Sequence, residues 1–209
     1  MYTTEKSVLL LIDIQYDFTP GGAVAVEDGD EIIGPLNRVI HKFPKVVATK
    51  DWHPEDHVSF ASNQPGHDPF DVIQVQGEDT VLWPDHCIKG TRGAELREEI
   101  DITGVHLILH KGYRRDLDSY SAFFENDKVT PTGLHPYLKG LEIENIFIAG
   151  LAEDVCVFFS VMDAIKLGYP VYVLSDAVKG VNSPPGRLEK NRKVMKDAGA
   201  VYITTGDVE

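Results

Sequence analysis

The chain has 209 residues, with 20 Lys and Arg against 33 Asp and Glu and a net charge of −13. That field repels phosphate backbones and anionic lipid heads, so nucleic acid and membrane surfaces are set aside as partners. The length suits one domain over residues 1–209 rather than two, because each half would be small for burying an apolar core of its own. No apolar run approaches the ~20 residues that span a bilayer, and Met1 to Lys6 lacks the basic-then-apolar order of a secretory leader. Two cysteines, Cys87 and Cys156, are too few for a disulfide framework, and a cytoplasmic setting is expected.

An apolar, β-rich run over 8–14 is read as a buried strand, followed by helical spacing over 31–43 and a second strand over 46–49. Helical spacing over 94–100 precedes strands over 105–109 and 143–150. A helix over 155–167 ending at Gly168, a strand over 171–175, a helix over 187–198 ending at Gly199 and a strand over 201–204 complete the series. This alternation predicts a doubly wound, Rossmann-type α/β fold, a mostly parallel six-stranded sheet with helices on both faces. Two connections, 51–90 and 112–133, are too long for ordinary turns and have the composition of functional loops. No phosphate loop, GxGxxG, GxSxG or HExxH pattern occurs, so nucleotide and serine-hydrolase readings lose their usual support.

Ligands of open parallel sheets sit beyond the carboxyl ends of the strands, near the point where strand order reverses. Here the first strand runs into Asp13, the second into Lys50-Asp51-Trp52-His53, the third into Lys111, and the fourth into Gly150-Leu151-Ala152-Glu153-Asp154-Val155-Cys156. A carboxylate, a candidate metal site, an ammonium and a thiol therefore converge on one edge. Near the start of a helix and beside Lys111, Cys156 would have its thiolate favoured by the helix dipole and the ammonium. Asp13 is placed to take the thiol proton, and the N–H groups around Ala152 and Cys156 to hold an oxyanion. The alternative is that Cys156 packs as a small buried side chain. Asp51 and His53, with His86 from the far end of the same loop, offer one carboxylate and two imidazoles, a set that suits zinc, iron(II) or manganese. His57, Asp56 and Cys87 compete for that role, Cys87 being read as a buried thiol, whereas His41, His67, His106, His110 and His135 are read as solvated. Phe18, Trp83, Tyr120 and Phe123 add aromatic surface suited to a flat ring.

Taken together, the segments Asp13-Ile14-Gln15-Tyr16-Asp17-Phe18 with Gly21-Gly22, Thr49-Lys50-Asp51-Trp52-His53-Pro54, Trp83-Pro84-Asp85-His86-Cys87, Lys111-Gly112 leading to Asp118-Ser119-Tyr120-Ser121-Ala122-Phe123, and Gly150-Leu151-Ala152 before Cys156-Val157 resemble the motifs of nicotinamidases in the isochorismatase-like hydrolase superfamily. Ser175-Asp176-Ala177 and Gly199-Ala200 are similar to the family's end. The resemblance implies Asp13, Lys111 and Cys156 as a catalytic triad. It implies Asp51, His53 and His86 as ligands of one divalent metal ion, zinc foremost, with iron or manganese as alternatives. It also implies a cis Leu151–Ala152 peptide that turns the Ala152 N–H towards an oxyanion, and Phe18, Trp83 and Tyr120 around a substrate ring.

The activity implied is hydrolysis of a small aromatic carboxamide, nicotinamide, to nicotinic acid and ammonia through a Cys thioester in NAD recycling, with pyrazinamide as a further substrate. Another small amide, or a non-catalytic metal- or ligand-binding module on the same fold, is the alternative, and a homo-oligomer is left open. Two departures stand out: Tyr16 replaces the usual asparagine, and Glu153-Asp154-Val155 replaces Thr-Asp-Tyr. Glu153 opposes thiolate formation if its side chain faces the pocket.

Overall fold

The first apolar run forms β1 (Ser7–Ile12), buried at every position as expected of a strand covered on both faces. The computed structural model describes residues 3–75 and 77–209, so Met1 and Tyr2 of the segment scanned for a leader lie outside the described residues. After β1 come α1 (Ile33–Val39), β2 (Lys45–Asp51), a hairpin of β3 (Val72–Val75) and β4 (Glu78–Val81), and β5 (Leu107–Lys111). Then follow α2 (Leu134–Gly140), β6 (Asn145–Leu151), α3 (Phe158–Lys166), β7 (Val171–Lys179), α4 (Arg187–Asp197) and β8 (Val201–Ile203). Six strands make one sheet in the order β5-β2-β1-β6-β7-β8, with every neighbouring pair parallel.

Connections from β1 to β2 and on to β5 step one way across the sheet; those from β5 to β6, β7 and β8 step the other way. Right-handed crossovers put the helices of oppositely stepping connections on opposite faces. The helix α1 thus covers one face and α2, α3 and α4 the other, and α3 packs against α4. The order reverses beside β1, and Asp13, Asp51, Lys111 and the turn after β6 all lie at that end of the sheet.

Where local spacing and structure differ, tertiary partners decide. No helix forms over 94–100: Arg92–Ala94 make one 3-10 turn, and Glu95 is extended (φ −80°, ψ 149°). The backbone there is claimed from elsewhere, Glu95 O accepting from the Tyr16 N–H and the Arg97 N–H donating to Ile14 O. The helix expected over 31–43 is α1 flanked by 3-10 turns at Gly29–Ile32 and Ile40–Lys42. The hairpin β3–β4 and the short α2 were not anticipated, and β5 begins two residues later than its apolar run. That shift takes Lys111 into the sheet in register with Asp51 of β2. Between β1 and β6, Gly150 (φ +124°) lies so close to Ile12 that a Cβ would collide with the Ile12 carbonyl oxygen, a spacing that glycine alone permits. Among the described residues no helix is long and apolar enough to cross a membrane.

Candidate active site

Asp13 follows β1 in the left-handed region (φ +48°), which a short polar side chain tolerates better than most. The Thr49 hydroxyl donates to Asp13 Oδ1 at 2.6 Å and accepts from the Asp13 N–H at 3.2 Å. Oδ2 forms a fully buried ion pair with Lys111 Nζ at 2.8 Å. The Lys111 ammonium, fully buried, donates to Asp51 Oδ1 and to the Ser119 carbonyl at 3.1 Å and lies 3.5 Å from Cys156 Sγ. After β6 the Leu151–Ala152 peptide is cis, and Glu153–Val157 form a single π-helical turn that carries Cys156 into α3.

Burial lifts the Asp13 carboxyl to about 6 against the pull of Lys111. Burial also pushes the Cys156 thiol well above its ordinary value, with Asp13 and Asp51 adding to it and Lys111 opposing. This differs from the thiolate expected from a helix start: Cys156 sits inside the buried π turn, where desolvation and two carboxylates outweigh one ammonium. The ligand atoms of Asp13, Asp51 and Cys156 lie within 4.8 Å of one another, so a carboxylate that can accept the thiol proton is at hand.

Asp51, His53 and His86 offer atoms within the same 4.8 Å limit, all three buried. His53 Nδ1 is 2.7 Å from the Gly112 carbonyl and His86 Nδ1 is 2.8 Å from the Pro84 carbonyl. A carbonyl only accepts, so each Nδ1 carries a proton and each Nε2 is the atom left to face a metal when the ring is neutral, the arrangement that orients metal-binding imidazoles. Burial works against the His53 imidazolium, but Asp51 beside it raises that ring's pKa. Burial drives His86 down to about 4, keeping it neutral. Burial works against the ionised form of Asp51 too, but the Lys111 ammonium opposes it and the carboxyl is held below its usual range. A buried carboxylate with two aimed imidazoles fits a divalent cation.

Of the competitors, Asp56 is exposed and pairs with Arg115, and Cys87 is fully buried away from the cavity with its thiol pushed well up by burial. His57 adjoins His53, ring centroids 4.3 Å apart, with Nδ1 on the Ser59 hydroxyl at 2.8 Å. His53, His57 and Asp118 make a further buried cluster.

A cavity opens over this edge, lined by Phe18, Trp83 and Tyr120 as well as by Asp51, His53, His86, Ala152 and Cys156. The Trp83 Nε1–H donates to the Tyr120 hydroxyl at 3.0 Å, and the two rings stand at 86°. Phe123 is not in this wall: it is fully buried against Tyr169. Sequence reasoning missed Val24, Val26, Asp118, Val155 and Val181, which complete the lining. Asp118 and Val155 stood in segments already singled out, whereas Val181 was hidden because β7 runs four residues past its apolar stretch. Glu153 turns away from the cavity, its carboxylate bound by Arg192.

The chain matches the isochorismatase domain family over residues 7–207. It is 42% identical to a nicotinamidase of Acinetobacter baylyi, covering 100% of this chain and 97% of that protein. Its fold is similar to that of an Acinetobacter baumannii nicotinamidase/pyrazinamidase, with a TM-score of 0.95, 43% identity and 98% of each chain covered. A Pyrococcus horikoshii pyrazinamidase solved in complex with zinc has a TM-score of 0.75 and 35% identity, over 95% of this chain and 99% of that one.

Proposed function

The chain belongs to the isochorismatase family, and from that premise we propose that it is a nicotinamidase. It hydrolyses nicotinamide to nicotinic acid and ammonia through a Cys156 thioester, takes pyrazinamide as well, and serves NAD recycling in the cytoplasm as one domain. The observation that carries the reading is the placement of Cys156 Sγ within 3.5 Å of the Lys111 ammonium and in one buried cluster with the Asp13 carboxylate, on the wall of an aromatic-lined cavity.

In the first half-reaction Sγ attacks the amide carbon as its proton passes to Asp13 Oδ2, which is ionised at neutral pH with a carboxyl near 6. The Ala152 and Cys156 N–H groups receive the oxyanion. Asp13 then gives the proton to the departing nitrogen, ammonia leaves, and a thioester remains. In the second half-reaction Asp13 takes a proton from water, the hydroxide attacks the thioester, and Sγ leaves carrying the proton returned by Asp13. Lys111 keeps its charge throughout, because Asp13 and Asp51 outweigh its burial.

Phe18, Trp83 and Tyr120 hold the ring flat between them. Asp51, His53 and His86 would hold one divalent cation, zinc foremost, and when bound it supplies a positive anchor that orients a ring nitrogen or a water. The purified protein is expected to carry about one such ion per chain by elemental analysis, and His86→Ala to lower metal content and turnover together. A metal-free preparation of undiminished activity, insensitive to chelators, would remove that role.

The functional reading is tested by ammonia release from nicotinamide and pyrazinamide with purified protein. Turnover of both is expected, with KM in the 1 μM to 1 mM range ordinary for enzymes. No release from either amide by metal-loaded protein overturns it.

A further inference from the structure

Two consecutive buried carboxylates, Glu153 and Asp154, point away from the cavity, and both are tied to the C-terminal part of the chain. Asp154 accepts the Val181 N–H at 2.9 Å and the Asn182 N–H at 3.0 Å, and its carbonyl accepts from the Asn191 side-chain amide at 3.0 Å. Glu153 receives the Arg192 guanidinium of α4 in a two-pronged pair, Nε to Oε1 at 2.7 Å and Nη2 to Oε2 at 2.6 Å. The Tyr202 hydroxyl of β8 donates to the same Oε1 at 3.0 Å.

The π turn between Ala152 and Val157 is thus gripped from behind, while Ala152, Val155 and Cys156 line the cavity in front. A planar fork meeting a carboxylate fixes orientation as well as distance, which an ammonium does not. Glu153 directly follows Ala152 and begins the turn that bears Cys156, so a shift of its backbone is passed to two residues that line the cavity.

We infer that Arg192 is a positioning residue for the amidase reaction, acting through Glu153 and aided by Tyr202 to hold the Ala152 and Cys156 peptide groups where the tetrahedral oxyanion forms. The inference rests on the amidase reading of the cavity. Its competitor is a purely structural role in which Arg192 only neutralises a buried charge. The two roles separate because Glu153→Gln removes the charge without rebuilding the fork.

The test measures melting temperature, kcat and KM for nicotinamide in the wild type, Arg192→Met, Arg192→Lys and the double variant Glu153→Gln/Arg192→Met. Arg192→Met and the double variant are both expected to lose about tenfold or more in kcat with KM changed by less than about twofold. The double variant should recover most of the melting temperature lost by the single one, and Arg192→Lys should fall between Arg192→Met and the wild type in kcat. Full kcat in the double variant, or a loss confined to KM, overturns the inference. A wild type that releases no ammonia overturns the reading of the site itself, whereas an active wild type with unchanged variants overturns this inference alone.

Discussion

Cys156→Ala should abolish turnover of nicotinamide, with kcat down by about 10⁴-fold or more, while the protein stays folded. Without Sγ no thioester forms, and what remains is the acceleration from substrate binding and the oxyanion donors, the residue left when a covalent nucleophile is removed from a catalytic unit. The folding penalty is small because Cys156 lines the cavity, so its loss opens little new space in the core. Loss of one such buried group is worth about 1 kcal/mol, roughly 2–4 °C of melting temperature in a chain of this size. Iodoacetamide labelling approaches the same question from the wild type. Burial pushes both thiols up, so selectivity comes from access: Cys156 lines the cavity and Cys87 does not. Labelling should therefore reach Cys156 first and stop ammonia release. Activity in Cys156→Ala within about a hundredfold of wild type would sink the covalent route and favour direct attack by water.

Much of this arrangement is legible in the sequence, for a physical reason. The strands β1, β2 and β6 lie in the interior of a parallel sheet and are buried on both faces, so β1 and β6 read as nearly continuous apolar runs and β2 as the shorter run Val46 to Ala48. Once they are located, the rule that sites lie at carboxyl ends singles out Asp13, Asp51 and the turn bearing Cys156. The edge strand β5 alternates between half-buried and exposed positions, so its apolar residues mark neither its ends nor its register, and Lys111 was placed after a strand that contains it. The 94–100 segment has helical spacing yet forms no helix, because its backbone partners, Ile14 and Tyr16, are some eighty residues away. Nothing local shows where Glu153 points. Its direction is set by Arg192 and Tyr202, each about forty or more residues further on, and the charge that counted against a reactive thiol is bound behind the turn.

Lys111→Met should lower kcat by about 10³-fold or more and destabilise the protein, and its two effects should run in opposite directions with pH. Removing the fully buried ammonium leaves the Asp13 and Asp51 carboxylates without the cation that lies 2.8 Å from one and donates to the other. Breaking a buried pair in this way costs about 3–5 kcal/mol, roughly 10 °C of melting temperature here. The chain can relieve part of that cost by protonating Asp13, whose carboxyl burial already lifts to about 6 with Lys111 pulling it down. Without Lys111 it moves higher, so at neutral pH Asp13 is largely protonated and cannot accept the thiol proton. Residual kcat in the variant should therefore rise between pH 7 and 9, where the wild-type base is already ionised. Stability changes the other way. A carboxyl raised above its unfolded value of 3.8 binds a proton more tightly in the native state, so the variant's deficit grows as pH increases through the folded value. Kinetics and thermal melts at pH 6, 7, 8 and 9 separate the two trends. A Lys111→Met protein with near-normal kcat, or one whose residual activity is flat with pH, would show that Lys111 neither holds the charge balance nor tunes Asp13.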